Sequence, residues 1–296
     1  MSEVHAHVQA RPLPLATTLV LFVTALVYVC GWLRVRNSFP NLIPAWRLAT
    51  FISGLFSLWI CVASPLAALD HQSLTIHMAK HLLLMTVAAP LVLAGTPVLP
   101  LLYGLPRRFI QVELLFGKQA VRWLGQRLKH PVLYWLAGTA AVIGWHLPPA
   151  FQLAIRSHWV HRVEDGCFLV AGLLFWWPVL QTSSSVLRAP RWSMALYLFF
   201  ATLPCDILSA FLVFCNRVVY STYLSTPQFV GRSPLQDQEY AGALMWVWTT
   251  FAYLIPVVVI TMEILSPPNK CSNTTVEPAW HSIAARPLND TELEVI

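Results

Sequence analysis

Charge is what this sequence has least of. Only 11% of its 296 residues are Asp, Glu, Lys or Arg, less than half of the roughly 25% usual in a soluble domain, while 57% are hydrophobic. That balance excludes a water-soluble globule, whose core could not take up so much apolar sequence. Paired cysteines are lacking too. Cys30, Cys61, Cys167, Cys205, Cys215 and Cys271 include no CxxC pair, which excludes a disulfide framework or a zinc-ribbon site and leaves buried, inert thiols as the reading. There is no nucleophile elbow, phosphate loop or HExxH signature. The net charge of +6 does not point to nucleic acid, because the Lys and Arg are confined to short loops between apolar runs.

Those runs approach the roughly 20 residues that cross the hydrocarbon layer as a helix, and only helices satisfy the backbone there. The expected fold is therefore all-α: a polytopic membrane helical bundle of about seven transmembrane helices. The spans are placed at about Leu15–Leu33, Leu48–Ser64, Leu74–Leu102, Pro131–Leu147, Val160–Leu180, Trp192–Cys215 and Tyr240–Met262. The first has no small-x-small cleavage site and is kept as a span rather than a leader. The third is too long for one straight crossing, and Pro90, Gly95 and Pro97 predict a kink or a half-buried continuation. The 13 Trp and 22 Pro fit membrane interfaces and spanning helices. Residues 1–14 read as a short outer segment, 15–265 as the membrane domain and 266–296 as a disordered cytoplasmic tail. Basic residues cluster before span two (Arg34, Arg36, Arg47), before span four (Arg107, Arg108, Lys118, Arg122, Arg127, Lys129) and before span six (Arg188, Arg191), which puts the N-terminus outside and the C-terminus in the cytoplasm.

On that topology His71, His77, His81, His146, His158 and His161 gather at the outer surface, against His130 and His281 inside. His77 and His81 are spaced i, i+4 at the outer end of span three, so both imidazoles share one helix face and form half of a metal site. Imidazole and thioether suit copper, and imidazole also zinc and iron; Met78 and Met85 lie within reach. His146 is the best third ligand, His161 with Glu164 the next, and Cys61 or Cys167 weaker. The bland alternative is a set of interfacial histidines. Asp206 sits inside span six, where an ionisable group costs about 2.5–3.5 kcal/mol and is functional by default, with a structural pairing to Lys80 or a bundle histidine as the alternative. Lys80 could also snorkel outward, and Glu164 and Asp165 read most simply as solvated carboxylates at a helix N-terminus. Gly231-Arg232-Ser233-Pro234 and Asp237-Gln238 read as a turn and a helix start.

The segment His77-Met78-Ala79-Lys80-His81-Leu82-Leu83-Leu84-Met85, followed by Pro90 and Gly95-Thr96-Pro97, resembles the HMxxHLLLM…P…GxP core of the CtaG-type cytochrome c oxidase assembly proteins of bacterial membranes. Trp145-His146-Leu147-Pro148 is similar to their WHxP element. His161-Arg162-Val163-Glu164, Phe168 and Leu173 to Val179 resemble their HxxEHxxF…GLLFWWPV stretch, and Asp237-Gln238, Ala241-Gly242 and Met245-Trp246 their DQxxAGxxMW ending. The matches run in order from span three to span seven. Asp165 stands where the family has the second histidine of HxxEH, which would bring a carboxylate into the site and favour a harder ion than copper(I).

The resemblance implies a seven-spanning, non-enzymatic assembly factor of the bacterial inner (plasma) membrane that binds copper and delivers it to a cytochrome c oxidase subunit. The metal-ligand candidates are His77, His81, His146, His161, Met78, Met85, Glu164, Asp165 and Asp206. Partners admitted by this reading are the oxidase subunit, a soluble copper chaperone, the lipid bilayer and a second copy of the chain. The alternatives are an intramembrane metal- or haem-dependent oxidoreductase and a metal transporter.

Overall fold

The structure, a computed structural model, describes residues 14–38, 43–105, 131–180, 191–224 and 231–266. The expected N-terminal segment, the polar tail and the basic loop from Arg107 to Lys129 lie outside the described residues, as does Arg188. Among the described residues every regular element is helical. In chain order these are α1 (Leu15–Ser38), α2 (Ala45–Val62), α3 (Leu74–Leu83), α4 (Ala89–Ala94), α5 (Val98–Gly104), α6 (Pro131–His146), α7 (Pro148–Arg156), α8 (His158–Leu180), α9 (Arg191–Phe214) and α10 (Pro234–Leu265), with short 3₁₀ turns at Pro65–Ala68 and Ser221–Leu224.

Among the described residues, six helical stretches are long and apolar enough to cross a membrane: Leu15–Asn37, Ala45–Val62, Leu74–Ala94, His158–Leu180, Trp192–Phe214 and Pro234–Leu265. The expected fourth span is α6, apolar over its 16 described residues. The last span starts at Pro234 rather than Tyr240. Ser233 and Gln236 form a reciprocal capping box and Pro234 occupies the first turn, so local chemistry nucleates the helix before its apolar run begins.

The third span is the central one. Over its most apolar stretch 61% of residues are buried, against 17% for the first and last spans, whose large side chains such as Leu19, Phe22, Phe251 and Ile255 face outward. It is not a continuous α-helix. A π-turn at Leu84–Ala88 joins α3 to α4, and Pro90, lacking an N–H, leaves the Met85 carbonyl without the next bond of that wider ladder. The indole N–H of Trp176 supplies it at 3.0 Å. Beyond α4 the chain breaks at Thr96, which has a positive φ of 46°, and α5 turns back onto α1. The contact is backbone to backbone: a Cβ on Gly104 would collide with the Val27 carbonyl oxygen, and one on Gly31 with that of Pro100.

Gly172 serves the same purpose between α8 and the π-turn. A Cβ there would lie 2.8 Å from the Met85 carbonyl oxygen and 2.9 Å from the Cβ of Ala89, and neither can retreat. Gly172→Ala is expected to cost about 1–3 kcal/mol through overpacking, read as a lowered thermal midpoint in detergent.

Candidate metal centre

The site lies where α3 and α8 begin and α6 ends. Its geometry starts with the capping of α3. Ser73 is the N-cap, and Asp237 from the first turn of α10 accepts hydrogen bonds from Leu74 N (2.6 Å), Ser73 Oγ (2.9 Å) and Thr75 Oγ1 (2.6 Å). A carboxylate at a helix N-terminus satisfies orphan amides and opposes the helix dipole. It also pins the helix that carries His77 and His81 to the last span. Asp237→Ala should therefore cost about 1–2 kcal/mol, measured by thermal melting. Gln238 holds the connection into α10, accepting from Val219 N at 2.7 Å and donating to the Leu212 and Arg217 carbonyls.

One turn into α3, His77 and His81 are 0% and 4% exposed. Their rings meet edge to face at 4.4 Å. Phe151 of α7 closes on His77 at 4.9 Å, and Phe168 of α8 stacks on His81 at 4.1 Å. No ring nitrogen of either histidine has a hydrogen-bond partner. Glu164 faces them from α8, its Oε1 3.5 Å from His77 Nε2 and its Oε2 3.9 Å from His81 Nε2. One ligand atom from each of His77, His81 and Glu164 lies within 4.8 Å of the others, a spacing that a single ion could bridge.

Beside this triad lies a second group, Asp70, His71 and His161, which already contains a cation. Lys80 Nζ donates to Asp70 Oδ2 at 2.7 Å and lies 2.6 Å from His161 Nε2, while Asp165 Oδ1 approaches it at 2.9 Å. His161 Nδ1 donates to Glu164 Oε2 at 3.0 Å, and Tyr223 donates to the Asp70 carbonyl at 2.9 Å. Burial would push the Asp70 carboxyl up, but the hydrogen bond with His161 and the charge of Lys80 outweigh it and hold it well below the usual carboxylate range. A group whose folded pKa is depressed contributes stability above its unfolded value, about 3.9, and loses it as pH falls below that. The melting temperature should thus drop between pH 5 and pH 3, and less steeply in Asp70→Asn.

Three sequence expectations are corrected. Lys80 does not snorkel outward; it is 6% exposed because two carboxylates hold it inside. Its partners are Asp70 and Asp165 rather than Asp206. Glu164 and Asp165 are not solvated at the helix start; they are 1% and 7% exposed, since they sit nearly two turns inside α8, facing α3. Asp206 belongs to neither group of candidate ligands, and its Oδ1 is buried without a partner. Cys61 donates to the Lys80 carbonyl at 3.7 Å and likewise joins neither group. His146 lies deeper, against Met78. Sequence reasoning missed Asp70, although its place beside His71 in a loop without basic residues was a usable signal. It also missed Asp237 as the cap of another helix, which no local pattern reveals.

Comparison with known proteins adds a family. A family model described as cytochrome c oxidase caa3 assembly factor matches residues 26–266. Uncharacterized proteins of Mycobacterium leprae and Mycobacterium bovis are each 25% identical, over 84% and 81% of this chain and 38% and 37% of their own lengths. The chain thus spans little more than a third of these curated relatives. No solved structure matches it at a significant level.

Proposed function

The chain belongs to the cytochrome c oxidase caa3 assembly factor family, and on that premise we propose that it holds a copper ion at His77, His81 and Glu164, on the outer side of the bacterial inner membrane, for delivery to an oxidase subunit. The observation that carries this reading is the pair of buried imidazoles, none of whose four ring nitrogens makes a hydrogen bond, with a carboxylate beside them. Buried polar atoms are normally satisfied, and leaving one bare costs about 1–3 kcal/mol. A bound ion would satisfy several at once.

Charge supports the same reading. The buried cluster contains three carboxylates, Asp70, Glu164 and Asp165, against the one ammonium of Lys80, leaving two negative charges to be balanced by protons on imidazole or by a cation. Two imidazoles and a carboxylate suit a borderline divalent ion, cupric or zinc. His161, hydrogen-bonded to Glu164, would orient that carboxylate in the way outer partners of metal ligands do. Lys80 occupies the neighbouring group and excludes a second ion from it.

The test uses cells lacking this chain, complemented with the native gene or with Glu164→Gln. Native complementation should yield an oxidase with full copper content. The variant should yield a copper-poor oxidase that recovers when copper is added to the medium. An inactive oxidase with a full complement of copper would instead mean that the chain acts as a scaffold.

A further inference from the structure

Deeper along α3 the donors change character. Met78 and Met85 line a cavity of about 20 Å³ together with His81, His146 and Cys205. At 1.5 Å per residue, Met85 lies about 12 Å along the helix from His77. The remaining wall is largely apolar, and no carboxylate lines it. Met78, Met85, Cys205 and His146 are 1%, 6%, 6% and 7% exposed. The space exceeds the roughly 10–15 Å³ needed for one small occupant.

His146 sets the chemistry. Its Nδ1 donates to the Val142 carbonyl at 2.6 Å, so in the neutral ring the lone pair is on Nε2. That nitrogen lies 3.1 Å from Met78 Sδ. A thioether has no proton to give and neither does Nε2, so two acceptors face each other inside an apolar wall. A ligand that accepts electron pairs from both resolves the conflict. All the donors here are neutral or thiol, and soft thioether, thiol and imidazole ligands select cuprous ion over hard divalent ones. A doubly charged ion would find no anionic oxygen to offset its desolvation.

We propose that this cavity is a second metal site, distinct from the His77, His81 and Glu164 triad and selective for a soft monovalent d¹⁰ cation of the cuprous class, with Met78 Sδ and His146 Nε2 as its anchoring ligands. Met85, Cys205 and Met245 bring further sulfur to the wall. His81 is the side chain that the cavity and the triad have in common. The inference rests on the copper reading for the identity of the cargo, whereas the ligand set is independent of it.

The experiment uses the full chain in detergent under anaerobic conditions. Cu(I) is buffered by a chromophoric chelator, with Ag(I) as a second probe, and native protein is compared with the double variant Met78→Leu/Met85→Leu. Leu for Met nearly conserves volume, so the fold should persist. Native protein is expected to bind Cu(I) with copper–sulfur scattering in its X-ray absorption spectrum. The variant keeps the sulfurs of Cys205 and Met245 in the wall, so it should show weaker copper–sulfur scattering and lose at least about tenfold in Cu(I) affinity, while binding of Co(II) or Zn(II) at the triad is unchanged. Copper–sulfur scattering in native protein that binds no divalent ion would support the cavity and defeat the triad. A Cu(I) spectrum with nitrogen and oxygen ligands only, equal Cu(I) affinity in the variant, or no Cu(I) binding by native protein would overturn the proposal.

Discussion

Replacing His77 and His81 together by alanine is expected to remove stoichiometric divalent metal binding from the purified chain, a loss of more than about 100-fold in affinity, while helical content is retained. The size of the effect follows from the ligand count. Outer partners of metal ligands alone change affinity by about 10–100-fold, and the double variant deletes two of the three donors that lie within bonding range of one ion. Helicity should survive because neither imidazole makes a hydrogen bond that the fold depends on. Truncation opens space between Phe151 and Phe168, yet it also removes four buried nitrogens that make no hydrogen bond, and these two effects oppose each other. Equilibrium dialysis against Zn(II) with far-ultraviolet circular dichroism on the same samples checks both halves. Retained binding would remove the i, i+4 pair as a metal site.

Lys80→Ala should have the largest effect on stability, about 3–5 kcal/mol, because it strips the one ammonium from a buried cluster of three carboxylates. Asp70 and Asp165, which hold its Nζ at 2.7 and 2.9 Å, would face each other and Glu164 with only His161 left between them. The same substitution vacates the group of Asp70, His71 and His161. Added Zn(II) should therefore stabilise Lys80→Ala more than the native chain, by about 2.7 kcal/mol at a hundred times its dissociation constant. Thermal melting in detergent with and without Zn(II) separates the two effects. A melting point within a degree or two of native would show that the ion pair is solvated rather than structural.

Much of the fold was legible because a bilayer leaves few choices. Apolar runs become helices, and the proline and glycine after Met85 mark a break, which the π-turn and the positive φ at Thr96 realise. The His77 and His81 pair was readable from spacing alone. What spacing could not give was depth. Lys80, Glu164 and Asp165 looked like surface charges one by one, and they are buried because they neutralise one another across α3, α8 and the loop at Asp70. That pairing depends on tertiary contact over about ninety residues of sequence, from Asp70 to His161. The division of the donors into an oxygen-bearing triad and a sulfur-lined cavity was invisible for the same reason: Met78 is next to His77 in sequence but belongs to a different wall.

The most direct test of the central claim is electron paramagnetic resonance of the native chain loaded with one equivalent of Cu(II), compared with His77→Ala/His81→Ala. The account predicts one bound cupric ion per chain with nitrogen superhyperfine coupling from two imidazoles, absent from the double variant. A spectrum that the double substitution leaves unchanged, or no bound ion in the native chain, would contradict it.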